Sequence, residues 1–188
     1  MKLGDVKDKL MPMIDDAHWA EQTLDMDDNQ FTRRAYVRNV FAMIDGCIWT
    51  LKETALNTPA QEGITKRFLP GEYALLSDKS YELKSNGQVK EQTKYLRLPE
   101  NIRFTFAVLS KYFKIDFSLG IGTSNWDKFL AAQEIRNRIT HPKTSAEFSI
   151  SDEEIAICRD VSSWFNDLII DFFNGLIANS QRIAGDEA

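Results

Sequence analysis

The chain has 188 residues with 23 basic against 28 acidic side chains, a formal net charge of −5. That balance excludes a protein that coats nucleic acid by bulk electrostatics. At 43% hydrophobic and 27% charged residues, the composition fits a single globular domain, 1–188, able to bury a core.

No apolar run approaches membrane-spanning length, and Met1–Asp8 holds no apolar segment of a signal peptide, so a cytoplasmic protein without membrane contact is expected. Cys47 and Cys158 lie far apart inside helical patterns and make no metal-type spacing. Reduced, buried thiols fit that compartment. Charge is unevenly spread. Residues 1–30 are rich in acids, whereas Lys84, Lys90, Lys94, Arg97, Arg103, Lys111 and Lys114 face only Glu91 and Glu100 over 84–114.

In chain order, residues 5–26 place Leu10, Met13, Ile14, Ala17 and Leu24 at loosely helical spacing, with Pro12 expected at a helix start or a kink. His18 beside Trp19 reads as a packed or surface residue rather than a ligand. A stronger helix is predicted from Asp28 to Leu56. Val37, Val40, Phe41, Ile44, Ile48, Leu51 and Ala55 recur at i+3/i+4. Asp28 or Asn29 is its N-cap and Asn57-Thr58-Pro59 its stop. Arg33, Arg34 and Arg38 read as a solvated face, and Gly46 as a place where another helix comes close.

Ile64–Phe68 suggests a short helical turn, and Pro70-Gly71 a turn before Glu72–Ser77. Asn86-Gly87 is a strong hairpin signal, and Tyr95–Leu98 has β character, so a small β-hairpin is expected around 81–98. Pro99 then opens a helix at N1, carrying Ile102, Phe104, Phe106, Val108, Leu109, Tyr112 and Phe113 inward. Gly120–Thr123 lacks the strand and lysine of a phosphate loop and reads as a turn. Ser124 and Asp127 then resemble a capping box opening a helix to Thr140.

Residues 142–150 form a loop, and Ser151-Asp152-Glu153-Glu154 caps the last helix. That helix is apolar on two sides, through Val161, Trp164, Phe165, Leu168, Phe172 and Leu176 and then Ile169, Ile170, Phe173 and Ile177. So broad a stripe fits either a second partner or the centre of the chain's own bundle. The elements together predict an all-α, up-and-down helical bundle with one hairpin insertion.

The chemistry gathers at Glu134–Pro142. On one continuous helix Arg136 and His141 would stand about 140° apart, too far to share a target. Pro142 biases His141 out of the α region, so the helix ends there and the imidazole can turn back toward Arg136 and Thr140. A planar, permanent cation beside a group titrating near neutrality suits a phosphodiester. The competing view makes both residues favourable charges at the negative end of the helix dipole.

Arg136-Asn137-x-x-x-His141, late in a helical chain, resembles the signature of the HEPN superfamily, the "higher eukaryotes and prokaryotes nucleotide-binding" domains. Many members are metal-independent endoribonucleases of toxin–antitoxin, phage-defence and RNA-processing systems. The resemblance implies that Arg136, Asn137 and His141 are catalytic, with no metal and no cofactor. His141 would transfer protons, Arg136 would hold the scissile phosphate of an RNA, and Asn137 would support the pair. Arg138, Thr140 and Lys143 would bind substrate. The family's two-fold dimer, which shares one cleft, would supply a second imidazole, and an antitoxin or regulatory protein is the further expected partner. Lys143 stands where one branch carries a modified tyrosine, so control by adenylylation there is not expected. The alternative function is a non-catalytic helical dimer binding RNA, nucleotide or protein through the same cleft, which the acidic pI favours.

Overall fold

The computed structural model of the chain describes residues 3–57 and 68–186. The helices are α1 (Leu3–Met26), α2 (Gln30–Asn57), α3 (Pro70–Leu76), α4 (Leu98–Phe113), α5 (Ser124–Thr140) and α6 (Asp152–Asp186). One antiparallel ribbon of β1 (Lys79–Leu83) and β2 (Val89–Thr93) interrupts them. The fold is mainly α with a small hairpin.

Local rules account for the starts of α2 and α6. Asn29 caps α2, its Oδ1 accepting the backbone N–H groups of Phe31 and Thr32 at 2.8 and 3.1 Å. Ser151 and Glu154 form a reciprocal capping box on α6. Glu154 N donates to Ser151 Oγ at 3.3 Å and Ser151 N to the Glu154 carboxylate at 3.0 Å. Pro12 lies inside α1, where it removes one helical bond without ending the helix.

The bundle gathers round α2, which touches α1, α4, α5 and α6. Tyr36, Val37, Val40, Phe41, Ile44, Cys47, Ile48 and Leu51 are all buried, so α2 has apolar contacts on more than one side. A Cβ on Gly46 would stand 2.0 Å from the Met13 sulfur, confirming that α1 crosses α2 closely at this point. The α5–α6 pair packs through aromatics: Trp164 lies 5.9 Å from Phe129 and 6.2 Å from Trp126, centroid to centroid. Farther along α6, Phe172 packs edge-on against Phe106 and Phe117.

This packing bears on one open reading. Phe165 and Phe172 are fully covered, and Leu168 and Ile169 are buried, all by the chain's own helices. The stripe of α6 is therefore covered by its own bundle at Phe165, Leu168 and Phe172, while Trp164 and Phe173 are half-buried and Ile170 and Ile177 exposed.

Three other expectations are corrected. Pro70-Gly71 begins α3 instead of making a turn, because Pro at N1 needs no N–H and the Glu72 carboxylate accepts Leu69 N at 2.8 Å. The ribbon spans Lys79–Thr93, earlier than expected around 81–98, and Tyr95–Leu98 is not a strand, since Leu98 already begins α4 under the stiff φ of Pro99. Thr123, not Ser124, is the N-cap of α5, and its hydroxyl donates to Gly120 O at 2.7 Å rather than capping the helix. The Ile64–Phe68 turn lies outside the described residues except for Phe68, whose ring stacks on Tyr112 at 4.4 Å.

The base of the ribbon is pinned. Lys52 is 3% exposed, yet its ammonium reaches the Asp78 carboxylate at 2.5 Å and Asn101 Oδ1 at 3.4 Å. A buried ammonium needs such partners. Asp78 takes a left-handed φ of 53°, and its carbonyl accepts Lys94 N at 2.7 Å. One polar contact thus joins α2, α4 and the foot of the hairpin.

Candidate functional site

The site is built on the last turn of α5. Ala132, Ile135 and Ile139 are buried and fix the helix against the bundle. Arg136 and Thr140 follow on a neighbouring ridge, and Thr140 Oγ1 donates to Arg136 O at 2.7 Å. His141 is the C-cap, with φ −128° and ψ 56°, its N–H donating to Asn137 O at 2.9 Å. The helix ends where Pro142 requires, and the imidazole is exposed.

Arg136 is loosely held. Its Nη1 donates to Asn137 Oδ1 at 3.2 Å, and its Nη2 lies 3.8 Å from Asp45 Oδ2, with the side chain 36% exposed. Asp45 comes from α2 and escaped sequence reasoning. The signal was an acid within the apolar run Phe41-Ala42-Met43-Ile44-Asp45-Gly46-Cys47. Desolvation raises the Asp45 carboxyl above its ordinary range, and the Arg136 charge acts in the opposite sense.

Every other arginine at this end is engaged with protein acceptors. Arg138 Nη1 donates to the carbonyls of Glu147 and Ser149 at 3.1 and 2.8 Å, and Nη2 reaches the Glu154 carboxylate at 2.6 Å. Arg33 pairs with Asp28 and Asp152 and donates to Ile150 O at 2.9 Å. Arg34 donates to Phe148 O, and Arg38 to Ile139 O, each at 3.2 Å. Arg33 and Arg34 thus hold the connector instead of forming the solvated face the spacing suggested, whereas Arg38 is exposed as expected. Carbonyls of a connector with few internal bonds attract the nearest guanidinium forks.

The contacts of Arg138, Arg33 and Arg34 tie the segment between α5 and α6, which holds a 3₁₀ turn at Ser145–Phe148, to the bundle. Gln30 adds a two-way bond with Ile150, at 3.0 Å to its carbonyl and 2.9 Å from its N–H. Lys143 N donates to the Glu147 carboxylate at 2.6 Å, and the Lys143 side chain is exposed.

The structure therefore brings Arg136, Asn137 and Thr140 together, with His141 at the adjoining helix end and Asp45 opposite. It places the Arg138 guanidinium in the connector's own contacts, on two carbonyls and a carboxylate. Among the described residues, no three of His, Cys, Asp and Glu gather as a metal-holding group. No helix among them is long and apolar enough to cross a membrane.

Comparison with known proteins gives no match: no family model, curated protein or solved structure is significantly similar to the chain. What this site can do rests on its residues.

Proposed function

We propose that the Arg136–His141 end of the bundle cleaves RNA without a metal, by attack of a ribose 2′-OH on the adjoining phosphate. The observation that carries this reading is the contrast among the arginines. Arg33 and Arg138 are each fixed by carbonyls and carboxylates, while Arg136 holds only a 3.2 Å amide contact and a 3.8 Å carboxylate. A phosphate would displace so weak an ion pair and take two parallel N–H bonds from the same guanidinium.

In the reaction the 2′-oxygen bonds to phosphorus as the bond to the leaving 5′-oxygen breaks. His141 takes the 2′-OH proton, and Arg136 offsets the charge developing on the phosphoryl oxygens. Asn137 keeps the guanidinium turned toward the open side. The leaving 5′-oxygen needs a proton, which a second copy's imidazole would supply in the dimeric arrangement that the HEPN resemblance implies. The 2′-OH is already next to the phosphate, so proximity favours it over water.

Single-stranded RNA incubated with the protein in EDTA tests this. The expected products are a 5′ fragment ending in a 2′,3′-cyclic phosphate and a 3′ fragment with a free 5′-OH. Binding without cleavage would favour a non-catalytic RNA-binding module, and a 5′-phosphate on the downstream product would refute the 2′-OH route.

A further inference from the structure

α2 carries an exposed tryptophan beside the candidate site. Trp49 is 56% exposed, although a side chain of this size is ordinarily well covered. Among the described residues no aromatic ring or side-chain hydrogen bond holds its indole. Asp45, Trp49 and Lys52 follow one another at i, i+4 and i+7, so they fall within about 60° on one face of α2. Asp45 meets Arg136 at one end of this stripe, and Lys52 anchors the ribbon through Asp78 at the other. Measured along the helix axis from Asp45, Trp49 lies about 6 Å away and Lys52 about 10 Å. The indole therefore comes between the carboxylate that meets Arg136 and the foot of the ribbon. Its acidic neighbour Glu53 is held by Lys9 at 2.8 Å.

The ribbon gathers free cations on one side. Its register sets Ser80 opposite Gln92 and Glu82 opposite Lys90. The ladder continues past both ends, Lys84 N donating to Gln88 O at 2.9 Å and Lys94 N to Asp78 O at 2.7 Å. Side chains alternate along a strand, so Lys84, Lys90 and Lys94 share the face of Ser80, Glu82 and Gln92, and Tyr81, Leu83 and Val89 lie on the other. All three lysines are exposed, and none has an ion-pair partner among the described residues. Glu82, the acid on their face, already accepts a hydrogen bond from Gln92.

On the RNA reading of the Arg136–His141 end, we propose that a single strand runs from Arg136 along α2 to the ribbon. A base beside the scissile phosphate stacks on Trp49, and phosphates farther along meet the lysine face. Stacking suits an exposed indole, because every base has a π-face and a single strand can turn one outward. Phosphates suit the lysines, because each offers a cation with no carboxylate to displace. The stripe on α2 makes the two contacts continuous with the candidate site.

Fluorescence anisotropy with a labelled single strand of about 12 nucleotides, 2′-O-methylated throughout, measures binding without cleavage. Its 2′-oxygens carry no proton and cannot attack. Trp49→Ala should weaken binding about tenfold or more and leave its salt dependence unchanged, while Trp49→Phe keeps most of the affinity. Trp19 is 64% exposed but follows Asp15 and Asp16 by one turn of α1, and Trp19→Ala should bind as the parent does. The triple change Lys84→Gln, Lys90→Gln and Lys94→Gln should lower the slope of log affinity against log salt by about 2. A parent chain without affinity for this strand, a Trp49→Ala protein that binds normally, or a slope indifferent to the lysines would overturn the proposal. Normal binding by Trp49→Ala would leave the indole to a protein partner. The catalytic reading fails separately. If natural RNA stays intact while both effects on binding hold, the track stands and the cleavage does not. If chains altered at Trp49 and the three lysines cleave RNA with unchanged KM, the cleavage stands and the track does not.

Discussion

Arg136 and Arg138 stand two residues apart on one helix and therefore face about 200° apart around its axis. On the Arg138 flank the guanidinium meets two carbonyls and a carboxylate, and the connector to α6 is locked against the bundle. The Arg136 flank offers the same chemical group to solvent, with an amide beside it and a distant carboxylate. Residue type does not separate the two. The difference is how many acceptors the fold brings within reach, and the clamped flank serves the open one. Because Arg138, Arg33 and Gln30 fix residues 147–150, the chain leaving His141 has a set path.

The comparison breaks first on activity. His141→Ala should lower RNA cleavage about 10²–10⁴-fold while leaving the thermal midpoint nearly unchanged. Arg136→Lys should also lose most activity, because an ammonium cannot form the paired bonds of a guanidinium. Normal turnover in a folded His141→Ala protein would end the enzymatic reading.

Next comes the clamped flank. Arg138→Ala removes three acceptor contacts from a partly exposed site and should cost about 2 kcal/mol in denaturant unfolding. If Arg138 only clamps, kcat per folded molecule changes far less than for Arg136→Lys. An equal loss of activity would put both arginines in the site.

Ser151→Ala tests the far end of the connector. Losing the capping box should lower stability by about 1 kcal/mol in the same measurement, without effect on cleavage.

Asp45→Asn gives the smallest effect and the most specific pH signature. Partial desolvation raises the Asp45 carboxyl, although its side chain is 48% exposed and water screens much of the effect, so just above the ordinary carboxylate range the folded state holds slightly more protons than the unfolded state. Stability from this group therefore falls as pH rises through that interval. Asn cannot ionise, so the variant should be slightly more stable than the parent at neutral pH, an effect that screening at this half-exposed position keeps small. The gain should vanish on acidification. Unfolding curves at neutral and acid pH measure it, and a variant less stable at neutral pH would make the Arg136 contact the dominant influence.

Where a feature depends on neighbours in sequence, it was legible. α5 runs from Ser124 to Thr140 as its spacing predicts, the Asn29 cap and the Ser151–Glu154 box obey local hydrogen-bonding rules, and Asn86-Gly87 does turn a hairpin. Features set by contacts distant in sequence were not. The carbonyls that engage Arg33, Arg34 and Arg38 lie more than a hundred residues from them. The coverage of α6 depends on aromatics from α4 and α5, which no helical stripe reveals. Asp45 reaches Arg136 only once α2 and α5 pack, so the candidate site was legible as a motif and silent about its opposing carboxylate.

The two cysteines have a practical consequence. Cys47 and Cys158 are buried, and loss of solvation pushes both thiols up to about 12. At neutral pH neither offers a thiolate to a maleimide. The folded protein is therefore a blank background for site-directed labelling with its native residues in place. One cysteine introduced at the exposed turn, as in Ser85→Cys, should take a single fluorophore, visible as one mass increment on the intact chain. Labelling of the parent protein should appear only after denaturation. A dye at that position would report directly, through its anisotropy, on whatever comes to rest against the ribbon.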